Sequence, residues 1–322
     1  MIKRSFLLLQ KGALYILLIT LSSNLLNAQQ TPLYPISQRI LTPFMINPAI
    51  AGSKDFFSVD LLTSNYNNDR SQLLNLNLRL SKTGPGYLSS RRAPQFSNFG
   101  LGLGIFNDLN GPTRNIGIIG AGSYHFNMDK EGLSFLSLGL SMKLVNSRYE
   151  GNHAIANSEE STIFPDFDAG IYYYNRSFFT GFSITNLIGS YQDRYNLEDY
   201  TIPSSRQLFY QIGFKAVVSK SLKIILEPSL YVNYSDTIST EWNQMLEPAL
   251  KLYISNLCVG TYFYDFDHFS FFFQYKFPRF YLGTYFEVPK DTPFYKNPVR
   301  AEFAIGLNIS SIKSGSLIFN HW

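Results

Sequence analysis

The side chains best suited to chemistry are few: four histidines, His125, His153, His268 and His321, and one cysteine, Cys258. No two histidines fall at the spacing that brings two imidazoles onto one metal ion. A single cysteine excludes an intramolecular disulfide and any multi-cysteine zinc site. No Gly-x-Ser-x-Gly is present, so there is no nucleophile elbow. Gly100-Leu101-Gly102-Leu103-Gly104 has glycines at period two and no helix after it, which reads as a small-residue strand face rather than a phosphate loop. Glu159, Glu160, Asp166 and Asp168 could offer oxygens to Ca²⁺, but they lack EF-hand spacing and read as part of a solvated loop. His125 and His268 sit near expected strand ends and read as polar interface residues, and Cys258 as a small apolar strand residue. This inventory points away from an enzyme, a resident metal or a cofactor.

A second set of charges is placed more regularly. Arg79, Lys143, Lys215, Glu227, Glu247, Lys251 and Glu302 all fall on the polar face of an alternating run. Leu136, Leu138, Leu140, Met142 and Leu144 share one face, while Ser137, Gly139, Ser141 and Lys143 share the other. The same period holds for Leu74 to Leu80 against Asn75, Asn77 and Arg79. It recurs at Tyr210, Ile212 and Phe214 against Gln211, Gly213 and Lys215, and at Phe303, Ile305, Leu307 and Ile309 against Glu302, Gly306 and Asn308. Side chains alternate across a strand, so each run has one apolar and one polar or small face.

About fourteen such runs follow one another, with twelve to sixteen open at this resolution of boundaries. They lie near 56–66, 72–82, 97–107, 113–126, 132–146, 167–176, 178–188, 207–217, 222–234, 241–253, 255–264, 268–276, 279–287 and 300–310. A soluble sandwich also alternates. Three features favour a transmembrane antiparallel β-barrel instead. Most runs have the length that a tilted strand needs to cross a bilayer, about 9–11 residues. Aromatics such as Phe106, Tyr124, Phe126, Tyr234, Tyr262 and Phe263 crowd the run ends, as interfacial girdles do. Short turns alternate with longer polar segments at 147–166, 189–206 and 288–299, the pattern of periplasmic turns and outer loops. Segment 83–96 is the exception, long on the periplasmic side. In a barrel the apolar faces meet lipid, and the seven charges line the lumen as an ion-paired filling or an open channel.

Composition agrees. The chain has 322 residues, 45% hydrophobic and 16% aromatic, with 16% charged against about a quarter in soluble domains. Three of its 27 basic residues, Lys3, Arg4 and Lys11, lie in the first 28, which hold no acid. The remainder is near neutral, which argues against nucleic acid as a partner. Those 28 residues read as a signal peptide, with a basic start, an apolar core over 12–21 and a cut after Ala28. The core is shorter than the ~20 residues of a spanning helix, and no cysteine follows the cut for lipid attachment. Residues 29–55 then form an irregular periplasmic or plug-like lead-in, because Pro43, Pro48 and Gly52-Ser53 prevent ladder pairing. Residues 56–322 form the barrel, with 311–322 as a late last strand or a short tail.

Four stretches, in order, resemble the PorP/SprF family of type IX secretion system outer-membrane proteins. The first is Asn47-Pro48-Ala49 with Ala51-Gly52-Ser53 closely after the signal peptide. The second is Asn107-Asp108 and Gly111-Pro112-Thr113 following the glycine run, and the third is Tyr124-His125. The fourth is Phe164-Pro165-Asp166-Phe167 ahead of Gly170 to Tyr174 and Gly181-Phe182-Ser183. The chain departs from the family pattern by running on past the final strand to Trp322. The resemblance implies an outer-membrane, non-enzymatic component of the secretion and gliding apparatus. Its partners would be membrane lipid, other type IX components and an adhesin-like cargo exported or retained at the surface, with no small-molecule substrate. The motif residues would then serve structure or partner contact. Two other readings stand beside this one: a porin or hydrophobic-compound channel, supported by the polar lumen, and an outer-membrane lipase, which lacks a recognisable nucleophile–base pair.

Overall fold

The computed structural model describes residues 36–54, 57–66, 69–81, 96–110, 113–129, 133–149, 161–188, 206–235, 245–264, 268–277, 279–289 and 300–309. The expected signal peptide and its cut, Gly111 and Pro112, and the tail 311–322 lie outside these residues. No helix among the described residues is long and apolar enough to cross a membrane.

Nearly everything described is strand. The first six are β1 (Phe57–Tyr66), β2 (Asp69–Ser81), β3 (Phe96–Asn110), β4 (Thr113–Asn127), β5 (Phe135–Tyr149) and β6 (Ser161–Tyr174). Next come β7 (Phe178–Thr185), β8 (Gln207–Phe214), β9 (Ala216–Ser219), β10 (Ile224–Ser235) and β11 (Leu246–Ile254). The last are β12 (Leu257–Tyr264), β13 (His268–Lys276), β14 (Phe280–Pro289) and β15 (Arg300–Ile309). β8 and β9 both pair with β10 and form one stave broken at Lys215. Each stave pairs antiparallel with its neighbour in sequence. β15 returns to β1, with Ile309 opposite Phe57, and closes a fourteen-stave ring. Closure leaves the ring no open side, so the backbone groups can be satisfied within lipid.

The parity of each strand decides what meets lipid. On β15, Phe303, Ile305, Leu307 and Ile309 are exposed, while Glu302, Ala304, Gly306 and Asn308 are buried. On β5, Leu138, Leu140, Met142 and Leu144 face out, while Ser137 and Ser141 face in. The same parity corrects two expected girdle aromatics. Phe106 and Tyr262 fall on inward positions and are buried in the lumen, while Phe126, Tyr234 and Phe263 stay outside.

The wall is uneven in height. β2 to β6 run 13–15 residues, whereas β7 and β8 have 8 each. The segment expected as a loop over 147–166 therefore narrows to 150–160, because β5 and β6 remain paired as far as Arg148 and Ser161. β6 pairs with β7 only from Ala169 to Tyr174. Beyond that, the chain leaving β7 folds onto β6, with the Leu187 N–H donating to the Phe167 carbonyl at 2.9 Å.

Candidate functional site in the barrel lumen

The lead-in segment occupies the lumen. It consists of α1 (Ile36–Leu41) and two 3₁₀ turns, Pro43–Met45 and Pro48–Ile50. Each turn opens on a proline, where a missing N–H costs nothing and φ is already helical. Asn47 precedes a proline and is extended as such residues prefer. Its side chain caps the second turn by accepting from the Ala49 N–H at 3.0 Å. Gly52 ends the segment at φ +67°, and a Cβ there would overlap the Gly100 Cα. Leu41, Phe44, Met45, Ala49, Ile50 and Ala51 are all buried.

The wall is shaped to receive this segment. On β3, Gly100 faces the Ala51 carbonyl, and Gly102 lies where a Cβ would come 2.6 Å from the Phe44 ring. On β5 and β6, Gly139 and Gly170 are register partners directly beneath Pro48, Ala49 and the Asn47 side chain. The glycine run is thus a groove for the plug.

Polar side chains of the plug and the wall satisfy each other's backbone. Asn47 Nδ2 donates to the Ile171 carbonyl at 3.2 Å and approaches that of Phe182 at 3.5 Å. Ser183 Oγ donates to the Ile46 carbonyl at 2.9 Å, and the Gly52 N–H donates to Asn77 Oδ1 at 2.7 Å. Ser123 Oγ and His125 Nε2 both reach the Ala51 carbonyl, at 2.6 and 2.9 Å. A carbonyl only accepts, so His125 carries its proton on Nε2. Its Nδ1 is then left as an acceptor, taken by the Ser137 hydroxyl with the Tyr174 hydroxyl at 3.1 Å beside it. His125 is therefore a buried plug contact and not the interfacial residue its place near a strand end suggests. Across the lumen, Arg39 of α1 pairs with Glu247 of β11 at 2.8 Å, and Tyr262 also donates to that carboxylate. The Arg39 guanidinium lies over the Phe209 and Tyr262 rings. The plug is thus fastened to β2–β7 at one end and to β8, β11 and β12 at the other.

The remaining charges pair within the wall. Lys143 of β5 meets Asp168 of β6 at 2.7 Å, and Ser141 Oγ donates to the same carboxylate at 2.6 Å. Asn186, at φ +59°, turns its N–H onto Asp168 at 3.0 Å and accepts from Lys143. Asp166 accepts from the Phe167 and Ile188 amides. Asp166 and Asp168 are therefore buried lumen groups, which corrects their reading as solvated loop carboxylates. Glu227 of β10 takes Lys251 of β11 at 2.9 Å, Lys215 at 3.5 Å and the Tyr253 hydroxyl at 3.2 Å. Asp60 of β1 accepts from Asn75 at 2.7 Å and Tyr281 at 2.6 Å. Arg79 donates to the Tyr174 hydroxyl at 3.2 Å and covers the Phe135 ring. Glu302 of β15 is also buried, and Cys258 is buried facing in. Lys54, which joins plug to barrel, has its pKa lowered by loss of solvation; Asp60 opposes this, and Lys251 and Lys215 reinforce it.

The other motif residues lie apart from the plug. Asp108 faces in and accepts from the Ser71 hydroxyl. Asn107 accepts from Arg114 at 3.1 Å, and Thr113 opens β4 opposite Asn110. Pro165 sits in β6 opposite Leu144, and Phe167 faces outward. Among the described residues, no cluster of His, Cys, Asp or Glu could hold a metal ion. Arg39 and the place of Gly139 and Gly170 beneath the plug were not singled out from sequence. The available signal was a glycine on the polar face of an otherwise regular strand.

The architecture defines a transmembrane up-and-down β-barrel whose lumen holds the chain's own N-terminal segment. Residues 26–305 match the family described as type IX secretion system membrane protein PorP/SprF, and the chain belongs to that family. No curated protein matches it in sequence. Among solved structures it is similar to the KdgM porin, at 9% identity over 79% of this chain and 98% of that one, with a TM-score of 0.35. It is also similar to the NanC porin, at 7% identity over 79% and 98%, with a TM-score of 0.35. A third is BamA from Haemophilus ducreyi lacking POTRA domains 1–3, at 9% identity over 79% and 70%, with a TM-score of 0.38. These overlaps are too loose to add to the fold described above.

Proposed function

We propose that this chain is a non-enzymatic outer-membrane component of type IX secretion, which assists export or surface retention of an adhesin-like cargo. The family match over most of the chain carries the reading. The plugged lumen supports it. The plug and the ion pairs lie within the lumen, and the carboxylates described are engaged in internal hydrogen bonds and pairs. Partner contacts then fall on the rims and on the outer connections 150–160, 189–205 and 290–299. The test compares surface and culture-fluid proteins of parent and gene-deleted cells. Loss of one or a few large surface proteins is expected for a dedicated helper, and loss of many for a core component. An unchanged surface would sink the proposal.

A further inference from the structure

The two ends of the barrel differ in charge. The end bearing the start of β1 and the finish of β15 also carries the β6–β7, β9–β10 and β13–β14 turns. Arg176, Lys220, Lys223 and Arg279 are exposed in these turns. Asp129, in the neighbouring β4–β5 turn, is the one acid in the described turns at this end, and the four cations are spread around the rim from β6 to β14. The connections of the opposite end have another composition: 150–160, 189–205, 236–244, 265–267 and 290–299 hold eleven acids and three bases. Exposed apolar side chains stand beside these cations. Val218 and Leu222 are 63% and 65% exposed beside Lys220 and Lys223, and Tyr275 is exposed near Arg279.

We infer that this rim binds anionic phospholipid, its cations taking lipid phosphates at the leaflet that the short-turn end meets. Cations at the water boundary of a lipid-facing apolar band meet headgroups at the depth where their phosphates lie, and such residues snorkel to that level. An acidic protein partner would also match the charge. It gives no reason for Val218 and Leu222 to stand exposed among the cations, whereas acyl chains cover them. The site would fix the height of the barrel in the bilayer and which end faces the phospholipid leaflet. The inference is independent of the secretion role.

The test is the melting temperature of the full detergent-solubilised chain in mixed micelles with phosphatidylglycerol or phosphatidylcholine, since a ligand of the folded state raises it. Phosphatidylglycerol is expected to reach its half-maximal effect at about fivefold lower lipid or better, from a gain of about that factor per basic side chain. The preference should shrink as salt is raised. K220Q/K223Q/R279Q should weaken it at least fivefold, while R148Q at the other end should keep it. Equal response to both lipids, or a triple variant with the parent's preference, overturns the inference. Inorganic phosphate giving the same rise would also overturn it, by showing a free-phosphate site. If the triple variant does not fold, the parent's salt series decides: a preference indifferent to salt overturns the inference.

Discussion

Residue by residue, the lumen is held by buried charges with fixed partners. Removing one partner from a buried pair leaves an uncompensated charge and typically costs 3–5 kcal/mol, whereas replacing both with apolar groups is often neutral. Arg39 and Glu247 are the clearest case, because they join plug to wall. Glu247→Ala is expected to lower barrel stability by about 3 kcal/mol or more in urea unfolding, and Arg39→Met/Glu247→Met to restore most of it. If Glu247→Ala leaves the midpoint unchanged, the pair does not hold the plug. At this scale the sequence was partly legible. The inward face of Arg79, Lys143, Lys215, Glu227, Glu247, Lys251 and Glu302 follows from strand parity. Their partners do not, because register between strands and the path of the plug are set by packing across the barrel. Asp166 and Asp168 show the limit. Their strand begins earlier than its alternation suggests, since Phe164-Pro165 interrupts the pattern, and the carboxylates passed for loop.

At the scale of elements, period-two alternation alone located fourteen staves, because a one-residue slip would put a whole apolar face into the lumen. It could not separate Phe106 and Tyr262 from girdle aromatics, since proximity to a strand end says nothing of parity. Nor could it distinguish a lead-in from a plug. The prolines of 29–55 exclude ladder pairing but leave the segment's location open. What places it is complementary shape, with glycines on β3, β5 and β6 clearing a path for Phe44, Pro48 and Ala51. The outward faces allow a direct check. Leu140 is 67% exposed near the middle of β5. Leu140→Arg should destabilise the barrel in bilayers by about 2–4 kcal/mol, the cost of a cation at the membrane midplane. A change within 0.5 kcal/mol would mean that this face does not meet lipid.

For the whole molecule, fourteen staves enclose a lumen of intermediate width, and the chain places its own N-terminal segment inside it. A barrel of this size without filling would be wide enough to admit water and ions. The plug therefore separates a solid platform, which works through its rims, from a passage that works through its middle. The most direct measurement is single-channel recording of the full chain in planar bilayers, beside a variant lacking residues 36–52. The full chain should show no steady open conductance, and the deletion variant, if it inserts, should show stepwise openings. Steady open currents from the full chain would contradict a plugged barrel and return the molecule to the class of transport channels.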